Sequence, residues 1–162
     1  MLIESYLVEF SEIKKCIASM DNEDFVVMSE NIFSLTEKKE ARPVDLLSDS
    51  TPSNHPEALL LVNKDFARNL ILNDDAFNFL KESHVVDNLN GVTLHLAFAS
   101  TDLMHDLHAV SVKKNIDGVA VRSVGLEALL LAQQVQQKRY RDNQAIFKKS
   151  IAIYRKDMAL FL

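Results

Sequence analysis

The chain has 162 residues, 48% of them hydrophobic and 25% charged, and a formal net charge of −5. That balance belongs to an ordinary globular protein and excludes a fibrous repeat or a disordered acidic tail. At this length folding buries roughly 70% of the unfolded surface, so one domain spanning 1–162 needs no disulfide or metal to hold it.

Ile3, Tyr6, Leu7, Phe10, Ile13, Ile17 and Met20 recur at spacings of three and four, which predicts an amphipathic helix over 2–20. Glu4, Glu9 and Glu12 interrupt the apolar residues, so a signal peptide is not expected here. Cys16 is the one cysteine and reads as a buried thiol in a reducing, cytoplasmic setting. Asp21 is placed to cap a second helix carrying Phe25, Met28, Ile32 and Leu35. Residues 1–40 are therefore expected to form a helical hairpin.

All three prolines fall between positions 43 and 56 among serine, aspartate and asparagine, which marks 41–56 as a connector. From 57 onward Leu59, Leu60, Val62, Phe66, Leu70 and Ile71 suggest another helix, opening a helical body over 57–122. Two readings compete for 92–122. Val92, Leu94, Leu96 and Phe98 alternate with Thr93, His95, Ala97 and Ala99 at strand period, and Lys113 to Gly118 fits a hairpin. Alanine and leucine equally suit a buried helix. Three glycines in the whole chain tip the balance toward helix, because tight hairpins use glycine freely.

The last forty residues predict one long helix over 123–162. One seam position of its heptad frame reads Leu126, Gln133, Tyr140, Phe147, Tyr154, Phe161, and its companion reads Leu130, Gln137, Gln144, Ile151, Met158. Seven basic residues against three acids give this segment +4, which leaves −9 on the preceding 122 residues. The fold class expected is mainly α, a helical bundle with a long C-terminal amphipathic helix; the alternative is α+β with a small sheet within 92–122.

Chemical motifs are sparse. The glycines stand apart, so no phosphate-binding loop exists, and there is no nucleophile elbow. His105 and His108 share a helix face with Asp102 one turn earlier, a set that could ligate a transition metal together with His95. The expectation is a non-catalytic cytoplasmic interaction protein (an adaptor, chaperone or assembly factor) with no cofactor. Its partner surface would be the C-terminal helix, with Tyr140, Phe147, Tyr154 and Phe161 as aromatic anchors and Arg141, Lys148 and Arg155 as orienting charges. The partner would be another protein or a second copy of the chain, rather than nucleic acid or membrane. The alternative is a metal-binding enzyme or sensor using His105, His108 and Asp102.

Overall fold

The computed structural model describes residues 3–21, 23–34, 56–65, 91–135 and 143–161. Among these lie six strands: β1 (Ile3–Glu9), β2 (Phe25–Met28), β3 (Glu57–Asn63), β4 (Gly91–Ala99), β5 (Val112–Ile116) and β6 (Val119–Ser123). The helices are α1 (Phe10–Ser19), α2 (Thr101–Ala109), α3 (Leu126–Val135) and α4 (Gln144–Phe161), with a 3₁₀ turn at Asn31–Ser34.

The strands form one mixed sheet in the order β1-β4-β3-β2-β6-β5. β1 runs antiparallel to β4, β4 parallel to β3, and β3 antiparallel to β2. β2 then meets β6 in parallel at Val27 and Ser123, and β5 closes the far edge antiparallel to β6. Both faces are covered. Ile13, Cys16 and Ile17 of α1, with Ile32 of the 3₁₀ turn, pack on Leu60, Val62, Leu94 and Leu96. On the other face Leu103 and Leu107 of α2, Leu129 of α3, and Phe147, Ile151 and Tyr154 of α4 pack on Val26, Met28, Leu59, Leu61 and Ala97.

This sheet corrects the helical-bundle expectation. Residues 3–9 are a strand, so the predicted first helix begins only at Phe10. Residues 25–28 and 57–63 are strands too. Their periodicity is concealed because β2 is buried at all four positions and β3 at five successive ones, as a strand covered on both faces must be. The small-sheet alternative for 92–122 is nearer the truth, although β4, β5 and β6 belong to one six-stranded sheet. Glycine scarcity misleads because long crossovers join several strands. The tight β5–β6 hairpin does use the expected chemistry, with Asp117 at φ 47° and Gly118 at φ 90°.

The single helix expected over 123–162 is also corrected. Ser123 ends β6, and α3 and α4 pack against each other as well as on the sheet. The 41–55 part of the connector and the elements expected over 66–90 lie outside the described residues.

Candidate functional site

Three neighbouring strands each contribute a polar side chain to one cluster on the face that α4 covers. His95, in the middle of β4, is buried at 4% exposure. Strand alternation sends its neighbours Leu94 and Leu96 into the α1 core, which turns His95 to the opposite face. Ser5 of β1 lies directly across from His95 in the antiparallel register, and its side chain is exposed. Glu57 opens β3 on the same face, two residues before Leu59, the partner of His95.

Ser5 Oγ is 2.7 Å from His95 Nδ1, and His95 Nε2 is 2.9 Å from Glu57 Oε1. α4 adds two cations on one face, two turns apart: Lys149 Nζ is 3.7 Å from Glu57 Oε1 and Lys156 Nζ 3.1 Å from Glu57 Oε2. Burial raises the Glu57 pKa, but the His95 hydrogen bond and the Lys156 and Lys149 charges outweigh it and hold the carboxyl below its ordinary value. Burial lowers His95, and the lysines add to that against the pull of Glu57, so the imidazole is neutral at pH 7.

The protonation pattern follows. A carboxylate only accepts, so Nε2 carries the imidazole proton and donates it to Glu57. Nδ1 is then a lone-pair acceptor, and the Ser5 hydroxyl donates to it. The contact between His95 and Glu57 is thus a charge-assisted hydrogen bond rather than an ion pair. A hydroxyl on a neutral imidazole, itself oriented by a carboxylate, is the arrangement that activates a serine nucleophile. Leu7 at 42% exposure and half-buried Thr93 pair across the strands beside Ser5.

The residues singled out from the sequence fall elsewhere. Phe147 and Tyr154 are each 1% exposed, in the protein's own core. The Tyr154 hydroxyl donates to the Val124 carbonyl. Lys148 and Arg155 are exposed on α4. Tyr140, Arg141 and the Phe161 side chain lie outside the described residues. Asp102 and His105 are exposed and His108 half-buried on α2. Among the described residues no group of three or more His, Cys, Asp or Glu side chains is placed to hold a metal ion. No helix among them is long and apolar enough to cross a membrane.

Sequence reasoning missed Ser5 and Glu57 altogether and named His95 only as an auxiliary metal ligand. The three are 38 to 90 residues apart, and only strand pairing unites them. The available signal was a histidine set among apolar residues in an otherwise alternating strand. Comparison with models of known protein families, with curated proteins and with solved structures finds no match.

Proposed function

We propose that the protein is a serine-nucleophile hydrolase or acyltransferase, with Ser5 as nucleophile, His95 as general base and Glu57 as the group that orients the imidazole. The observation that carries this reading is the continuous Ser5–His95–Glu57 hydrogen-bond chain ending on an exposed residue, Ser5. In the first step Ser5 Oγ attacks an ester carbonyl carbon while its proton passes to His95 Nδ1. The imidazolium so formed is stabilised through Nε2 by the Glu57 carboxylate. Collapse of the tetrahedral intermediate breaks the carbon–oxygen bond to the leaving alcohol, which takes the proton back from Nδ1. Water, deprotonated by the same nitrogen, then releases the acid from Ser5. Lys149 and Lys156 set two cations beside the cluster, whose field favours a developing oxyanion.

Incubation with a fluorophosphonate probe and a short-chain p-nitrophenyl ester tests this. The native chain should be labelled at Ser5, and Ser5→Ala should lose both labelling and turnover. Glu57→Gln should reduce turnover by roughly 10²-fold or more, by analogy with the loss of an orienting carboxylate elsewhere. Turnover should rise with pH along a titration whose midpoint lies below 6.5, because His95 must be neutral and its folded pKa is lowered from the ordinary 6.5. A native chain that is neither labelled nor active would reduce the three residues to a structural polar network.

A further inference from the structure

A second cluster of chemistry-bearing residues lies at the other end of β3. Glu57 and Asn63 are six residues apart, about 20 Å along an extended strand. Near Asn63 the surface carries adjoining depressions, both lined by Glu23, His105 and His108. Lys113 and Arg122 complete the wall of one. These two are directly paired across β5 and β6, so both cations project toward the α2 face. Like charges placed opposite each other on a sheet repel and destabilise it. Neither has a carboxylate within ion-pair distance among the described residues, whereas Lys114 on the reverse face of β5 is neutralised by Glu30 at 2.9 Å.

α2 brings two imidazoles to the same depression. The Nε2 of His108 is buried beneath the depression and has no hydrogen-bond partner among the described residues. Two of the C-terminal carbonyls of α2 are already engaged: Leu107 O accepts from the Val110 amide, and His108 O from the Ser111 amide and hydroxyl. Glu23 is the one acid on the wall, set against Lys113, Arg122 and two histidines.

We infer that this depression is a binding site for a single phosphoryl group, free or on a small phosphate monoester, held by Lys113, Arg122, His105 and His108. Arg122 supplies a planar fork of donors and Lys113 a compact charge, the two forms of cation that bind phosphate oxygens. A nucleic-acid backbone fits less well, because its successive charges need a continuous basic track and here Glu23 stands on the rim.

Titration of the full chain with inorganic phosphate and with phenyl phosphate, followed by amide and imidazole NMR, tests the assignment. Saturable shifts confined to α2 and the β5–β6 hairpin are expected, and Arg122→Gln and Lys113→Gln should each weaken binding about tenfold. Lys113 is exposed on an edge strand, so its variant keeps the test decisive if Arg122→Gln fails to fold. Lys148→Gln, which removes an exposed charge from α4, should change nothing. Non-saturable shifts, or equal weakening by Lys148→Gln, would overturn the site as mere general attraction. Affinity that climbs steadily with polyphosphate chain length would overturn the single-phosphoryl assignment.

Discussion

Asp157 shows how one side chain can hold two layers together at an electrostatic cost. It sits on α4 at 1% exposure, and its Oδ2 accepts from the Ser29 hydroxyl and from the Glu30 and Asn31 amides. Its Oδ1 is buried without a partner among the described residues. Burial raises the pKa, and the hydrogen bonds from Asn31, Glu30 and Ser29 recover only part of that penalty. A carboxyl whose folded pKa lies above its unfolded value binds more protons when folded, so it stabilises the fold at low pH and loses that contribution as pH rises through the folded value. Asp157→Asn should therefore equal or exceed the native chain in stability at pH 7 to 8, with the gap closing as pH falls toward 3.8. Urea unfolding at several pH values checks the sign; a gap that widened toward acid would mean the carboxylate is stabilised rather than penalised. Asp157→Ala strands three donors, two of them buried, and should cost about 3 kcal/mol. Glu57 works in the opposite sense: its folded pKa is depressed, so its contribution is present above the ordinary carboxylate range and lost on acidification.

At the scale of elements, legibility depended on how many faces of a strand are covered. β4 announces itself, because Thr93 and His95 break the apolar run at alternate positions. β2 and β3 do not, since Phe25 to Met28 and Ala58 to Val62 are buried on both faces and a short apolar run has no period to read. β1 misled more actively. Tyr6 and Val8 face the α1 core while Ile3 faces α4, and the apolar residues on its two faces imitate helical spacing when followed by Phe10, Ile13 and Ile17 of α1. The candidate site was hidden for a related reason, because Ser5 and Glu57 gain meaning only from register with His95. The β5–β6 turn was readable, since Asp-Gly is the strongest short hairpin signal. A Cβ on Gly118 would meet no atom within 4 Å, so the cost of Gly118→Ala is purely that of φ 90°. We expect a loss of about 1–2 kcal/mol by chemical denaturation. An unchanged midpoint would mean that the turn relaxes to another type without penalty.

The described residues of the molecule form a sheet between two helical layers, and the C-terminal helix belongs to the core. The charge asymmetry seen in the sequence is used within the chain at Lys149 and Lys156, which turn onto Glu57 of the sheet. The aromatic heptad positions follow the same geometry: Phe147 and Tyr154 are two turns apart, and both face β2 and β3 alongside Ile146, Ile151 and Ile153. A helix laid lengthwise on a sheet produces the same seven-residue recurrence as a helix laid against a partner, so the pattern alone could not tell which surface it met. Removing α4 separates the two cases. Each of those five buried side chains contributes about 1.5–3 kcal/mol, which together is comparable to the entire 5–15 kcal/mol stability of a typical domain. A chain ending at Gln137 should therefore lose its cooperative thermal transition and expose the sheet face, seen as strong binding of a hydrophobic dye. A truncated chain that stayed monomeric and melted sharply would mean that α1, α2 and α3 suffice to close the core, leaving α4 as a detachable element.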